Sequence, residues 1–198
     1  MRALHVSDAH CNTSTLKAIL DSESYDVVLA TGDYECLDTV EALLKAPTPI
    51  ASVTGNMDHA SISRRLAEAG VLVDGRVKMV EGLLVGGVSG MDPASSLRSL
   101  LDRIGREGVS RIDVLLTHHP PRGVLDLTLA GVRAGLESLR KLSETLSPKL
   151  HAFGHIHESP GYEVVGDVAY VNPGPAFEGR YAIIEFKEGI IKISLHRI

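Results

Sequence analysis

The feature that most restricts the fold is a change of rhythm along the chain. In the first half, short apolar runs at residues 2–6, 26–30 and 50–53 read as strands. They alternate with helical patterns at 13–21, at 36–46 (stopped by Pro47 and Pro49), and at 61–69 (closed by Gly70). Strand-like pieces follow at 71–73, 77–80 and 83–88; Asp92-Pro93 opens a helix to about residue 106, and 112–116 is another strand. A helix over 132–146 is the last. After Pro148 the remaining runs, 149–153, 162–165, 168–171, 181–186 and 190–195, are all strands between Gly and Pro turns, the final two joined by Lys187-Glu188-Gly189 as a hairpin. A βαβαβ start with an all-strand tail does not make one open parallel sheet. It predicts an α/β, four-layer αββα sandwich of two mixed sheets flanked by helices. No repeat, linker or low-complexity stretch interrupts the 198 residues, so one domain over 1–198 is expected.

The polar residues that carry chemistry sit where the strands end. The first strand runs into Asp8-Ala9-His10, the second into Gly32-Asp33 and the third into Gly55-Asn56. The strand at 112–116 runs into His118, and that at 149–153 into Gly154-His155-Ile156-His157. In α/β sheets, ligands gather at the carboxyl ends of strands. Glycine before Asp33, Asn56 and His155 lets the backbone turn tightly. In Gly-His-x-His the alternate residues of an extended chain share one face. Imidazole, carboxylate and amide donors without thiolate suit Mn²⁺, Fe, Zn²⁺ or Ni²⁺. Seven donors exceed the needs of one ion with open positions; two divalent ions bridged by a carboxylate use them all, and such a pair can hold a hydroxide and clamp phosphate oxygens.

These blocks resemble those of the calcineurin-like metallophosphoesterase superfamily: D-x-H, G-D, G-N-H-[DE], a later His, and G-H-x-H. Here they stand as Asp8-Ala9-His10, Gly32-Asp33, Gly55-Asn56-Met57-Asp58, His118 and Gly154-His155-Ile156-His157, and Asn172-Pro173-Gly174 is similar to a turn that follows the last block in small prokaryotic members. The resemblance implies that Asp8, His10 and His157 hold one metal, that Asn56, His118 and His155 hold the second, and that Asp33 bridges. It makes Asn56, Asp58 and His118 the candidate catalytic residues. It implies phosphoester hydrolysis, with manganese among the candidate metals. The departure is Met57, which stands where the family carries a histidine implicated in protonating the leaving group; a thioether has no proton to give. Small relatives with this replacement resemble diesterases, so phosphodiester cleavage is expected. The alternatives are a phosphomonoesterase or protein phosphatase, and a non-catalytic scaffold.

His59 or His119 is a candidate for the missing proton donor, although an exposed loop histidine is the commoner reading of each; Arg122 is a candidate phosphate-binding guanidinium and reads equally well as an ordinary loop residue. Residues 120–133 are the expected substrate-covering loop. Glu35 either supports a ligand or starts a helix. Cys11 is expected to be a small packed residue, since two cysteines give neither a zinc spacing nor a disulfide framework. The expected substrate is a small phosphoester, such as a nucleotide. The net charge of −5 argues against stable nucleic-acid binding. No apolar run suits a membrane helix and no leader precedes Asp8, so a cytoplasmic chain is expected.

Overall fold

The computed structural model describes residues 1–187 and 189–198. The elements are β1 (Arg2–Val6), α1 (Thr13–Ser22), β2 (Val27–Ala30), α2 (Leu37–Leu43), β3 (Ile50–Ser52), α3 (Ala60–Glu68), β4 (Val77–Val80), β5 (Leu83–Val88), α4 (Pro93–Glu107), β6 (Val114–Thr117), α5 (Glu137–Leu146), β7 (Leu150–Ala152), β8 (Gly161–Val165), β9 (Val168–Asn172), a 3₁₀ turn at Ala176–Glu178, β10 (Arg180–Lys187) and β11 (Ile190–Arg197). Among the described residues no helix is long and apolar enough to cross a membrane.

Two sheets form, ordered β11-β10-β1-β2-β3 and β4-β5-β6-β7-β9-β8. In the first, β1, β2 and β3 run parallel, while β10 and β11 add antiparallel at the free edge of β1. In the second, β5, β6, β7 and β9 are parallel and the edges β4 and β8 are antiparallel. Both sheets are therefore mixed, and the all-strand tail is shared between them. Glu188 of the expected turn lies outside the described residues; Lys187 pairs with Ile190 on either side of it.

Alternation along the strands builds the layers. Leu4 and Val6 of β1, with Val28 and Ala30 of β2, face Leu16, Ile19, Val40, Leu43 and Leu66 of α1–α3. Their neighbours Ala3, Val27 and Leu29 face the other way, onto Val85, Val114, Leu116 and Leu150 of the second sheet. Leu115 of β6 packs outward against Leu100 of α4 and Leu139, Leu142 and Leu146 of α5. The central strands are buried on both faces, which is why they read as unbroken apolar runs. Leu139, Leu142 and Leu146 thus make the inner face of α5 part of the core.

Two elements differ from expectation. Residues 71–73 make only an isolated bridge, Leu72 to Ser52, because the chain turns at Gly75 (φ 62) before a ladder can extend. Residues 132–136 are not helical. Fully buried Asp126 accepts from Gly123 N and Gly135 N and pairs with Arg133 at 2.7 Å, and Leu136 N donates to Pro120 O. These contacts fold the segment back across residues 120–128, delaying α5 to Glu137.

Candidate metal centre

β1, β2, β3, β6 and β7 each run into a polar residue at the same rim. Asp8, His10 and His157 form one group in which the ligand atoms lie within 4.8 Å of one another, and Asp33, His118 and His155 form another. Within the first, His10 Nε2 is 3.3 Å from His157 Nε2, and His157 Nε2 is 3.4 Å from Asp8 Oδ1. Within the second, His118 Nε2 is 3.4 Å from Asp33 Oδ2, and Asn56 Oδ1 reaches the same imidazole nitrogen at 2.8 Å. The groups meet at Asp33, whose Oδ2 also lies 3.9 Å from His10 Nε2.

The backbone is forced into unusual shapes to achieve this. Of nine non-glycine residues with positive φ among those described, six lie here: Asp8, His10, Cys11, Asp33, Glu35 and His155. Such conformations cost of order 1–3 kcal/mol each and persist only where the surroundings over-determine them. The surroundings do so. The β1–β2 pairing continues past the strands through Asp8 N to Gly32 O, His10 N to Asp33 O and Cys11 N to Tyr34 O, and Asp8 Oδ2 accepts from His155 N. The glycines serve two purposes. Gly32 adopts φ 93, whereas a Cβ at Gly55 would collide with Asp33, and one at Gly154 with Ser7 and Asp8.

Hydrogen bonds on the far side of each ring set which nitrogen faces the centre. His118 Nδ1 donates to the Thr31 carbonyl at 2.7 Å, and His10 Nδ1 donates to Glu35 Oε1 at 2.6 Å, so both present Nε2 inward. Metal-binding histidines are held this way. Glu35 precedes α2, so supporting His10 is its task rather than starting a helix. Phe177 packs its ring on both His10 and His157, with centroids 5.4 Å from each. Asn172 steadies the same wall, donating to Ile156 O and accepting from Gly174 N.

The donor set fits a pair of cations. Asp8 Oδ1 is buried without a hydrogen-bond partner, and His157 Nε2 faces it at 3.4 Å. Lone pairs facing one another at this range repel unless a cation or protons lie between them. The metal-free electrostatics show the proton alternative. Although burial opposes it, Asp33 and Asp8 raise His118 to about 9. Burial likewise pushes Asp8 up, but His157 and His118 beside it hold it at about 2. His157 is raised by Asp8, and His155 is lowered by burial and by His118.

The other expected residues are distributed differently. Asp58 is buried and does not face the cleft: it accepts from Asp33 N, Tyr34 N, Glu35 N and Gly55 N. Its oxygens are occupied by backbone, which leaves none to move a proton. Met57 is half exposed beside the centre, and its own N–H donates to Asp33 Oδ1 at 2.8 Å. His119 packs at a tilt against the His155 ring, centroids 4.4 Å apart, and burial, then His118 and His155, lower it to about 3. His59 and Arg122 are exposed. The loop bearing Arg122 is tethered beside His157, with Leu129 N donating to Glu158 and Ser159 Oγ to Leu127 O. Cys11 is not an isolated packed residue. It forms a disulfide with Cys36, and no sequence pattern marks that pairing.

Comparison with known proteins agrees with this geometry. The human metallophosphoesterase domain-containing protein 1 is 43% identical over 63 residues, a stretch that makes up 31% of this chain and only 19% of the relative. The crystal structure of TT1561 from Thermus thermophilus superposes with a TM-score of 0.77 at 17% identity, covering 98% of this chain and 97% of that one. A structure described as a novel archaeal phosphodiesterase gives 0.59 at 15% identity, covering 99% and 100%. Residues 1–189 match the calcineurin-like phosphoesterase superfamily domain, and the chain belongs to that superfamily.

Proposed function

We propose that the chain is a dinuclear metal-dependent phosphodiesterase acting on a small substrate such as a nucleotide. One observation carries the reading: the two ligand groups share Asp33, with the same carboxylate oxygen directed at His118 and His10. When bound, divalent ions here would supply Lewis-acid activation of water and polarisation of a phosphoryl oxygen. Asp8, His10 and His157 would hold one ion, and Asn56, His118 and His155 the other.

The chain's own groups then orient and discriminate. Glu35 and the Thr31 carbonyl keep both imidazoles turned inward. Met57 supports the preference for a diester. A thioether at this point gives no positive charge to a third non-bridging oxygen, so a diester monoanion loses less than a monoester dianion. The fold shared with an archaeal phosphodiesterase is in keeping with this preference.

The test is steady-state hydrolysis of bis(4-nitrophenyl) phosphate and 4-nitrophenyl phosphate by the full chain loaded with Mn²⁺, Ni²⁺, Fe²⁺ or Zn²⁺. Diester turnover should exceed monoester turnover at least about tenfold in kcat/KM, about 1.4 kcal/mol in transition-state binding. Faster monoester cleavage would favour the phosphomonoesterase, and no hydrolysis with any metal would favour the scaffold.

A further inference from the structure

One covalent feature lies against the first ligand group without belonging to it. Cys11 directly follows the ligand His10, and Cys36 directly follows Glu35, whose carboxylate holds His10 Nδ1 at 2.6 Å. The bond therefore ties together, one residue further on, the two backbone positions that carry an imidazole and the group that aims it. The Cα atoms stand 5.1 Å apart, inside the usual range for a disulfide. His10, Cys11 and Glu35 all hold positive φ, so both loops need restraint from outside their own conformational preference. Backbone bonds hold this side as well, His10 N to Asp33 O, Cys11 N to Tyr34 O and Glu35 N to Asp58, but the side chains have less: Cys36 sits at the N-cap of α2 without a side-chain capping hydrogen bond, and the His10 and Glu35 side chains are both partly exposed. The second group is aimed otherwise, by a fully buried His118 whose Nδ1 donates to the Thr31 carbonyl. Cys11 is exposed and Cys36 partly so, which leaves the bond open to a reductant.

We propose that the Cys11–Cys36 disulfide is a positioning element for the first metal site: closed, it keeps Glu35 against His10; opened, it weakens divalent-metal binding at Asp8, His10 and His157 while leaving Asp33, His118 and His155 unaffected. The inference rests on the dinuclear reading above. Opening takes two electrons and two protons from a dithiol, which closes to its own disulfide as Cys11 and Cys36 become thiols. The thiol–disulfide state of the chain thereby sets how well one of the two sites is filled.

The experiment uses the full chain and Mn²⁺, a hard ion with little affinity for thiols. Alkylation of the air-oxidised protein without reductant should label neither cysteine, and labelling of both overturns the proposal. Mn²⁺ titration followed by electron paramagnetic resonance should then show two sites. In Cys11→Ser/Cys36→Ser one of them weakens about tenfold, the loss expected when support of a ligating histidine is removed. Reduced wild-type chain should behave in the same way, which guards against a folding defect in the double variant. Glu35→Gln should weaken the same site in the oxidised chain and add little in Cys11→Ser/Cys36→Ser, whereas a bond with a merely structural role gives independent effects. In His157→Ala, which retains only the second site, the disulfide should make no difference. Equal affinities with and without the bond, or equal weakening of both sites, overturn the proposal while leaving the two-metal reading in place. A wild-type chain that binds no Mn²⁺ removes that reading, and this inference with it.

Discussion

The carboxylate of Asp58 accepts the backbone N–H of Asp33 at 3.1 Å. The same two oxygens take Tyr34 N, Glu35 N and Gly55 N, each at 2.8 Å, so one buried side chain joins the loop after β2 to the turn that carries Asn56. In Asp58→Asn an amide N–H₂ would face backbone donors. Loss of charge-assisted bonds of this kind costs about 2–3 kcal/mol. The metal-free variant should melt roughly 5–10 °C below wild type, given about 2–4 °C per kcal/mol at this size. An unchanged melting temperature in calorimetry would show that these bonds do not hold the two loops.

Metal binding should release protons. Without metal, His118 is raised to about 9, so at pH 7.5 it carries a proton on a nitrogen that a cation must use. The sign is fixed by the direction of the shift. A raised imidazole pKa stabilises the metal-free fold fully below about 6.5, and that contribution is lost as pH climbs through about 9. Metal affinity moves the other way and strengthens over the same interval. Calorimetric titration at pH 7.5 in buffers of differing ionisation enthalpy should report at least about one proton released per chain, shrinking as the pH nears 9. Release that does not vary with pH would contradict this assignment.

Met57→His tests what the missing imidazole costs. A proton donor at this half-exposed position should raise turnover of diesters with alkyl leaving groups by about tenfold or more, while 4-nitrophenyl esters, whose leaving group needs no proton, change little. Equal gains across a leaving-group series would show that position 57 does not reach the departing oxygen.

Asp74 provides a pH signature behind the site. It accepts from Thr54 N at 3.2 Å and from Thr54 Oγ1 at 2.7 Å, and burial raises it from 3.8 to about 6. The native state therefore holds a proton that the unfolded chain has released, and stability falls as pH rises from about 4 through about 6. In urea unfolding, wild type should lose about 2 kcal/mol more than Asp74→Asn between pH 4.5 and 7.5. Parallel pH profiles for the two proteins would contradict the shift.

Much of the site was legible because its residues are local to strand ends. Gly154-His155-Ile156-His157 announces itself by spacing, and Asp8, His10, Asp33, Asn56 and His118 by position after buried runs; the two mixed sheets followed from the all-strand tail. What escaped depends on contacts distant in sequence. Cys11 and Cys36 are 25 residues apart, and only the continued β1–β2 pairing brings them together. Asp58 has the look of a catalytic acid until the N–H groups around it are seen. Residues 132–136 have helical composition, yet Asp126 draws them into the loop. Phe177 carries no signal at all, because an aromatic after a Pro-Gly turn is ordinary until two imidazoles pack against it.

The dinuclear centre is most directly tested by crystals of the full chain soaked in Mn²⁺ and measured at the manganese absorption edge. Two anomalous peaks about 3.5–4 Å apart are expected, one beside Asp8, His10 and His157, the other beside Asn56, His118 and His155, with Asp33 between them. A single peak, or peaks away from Asp33, would contradict a bridged pair of metals.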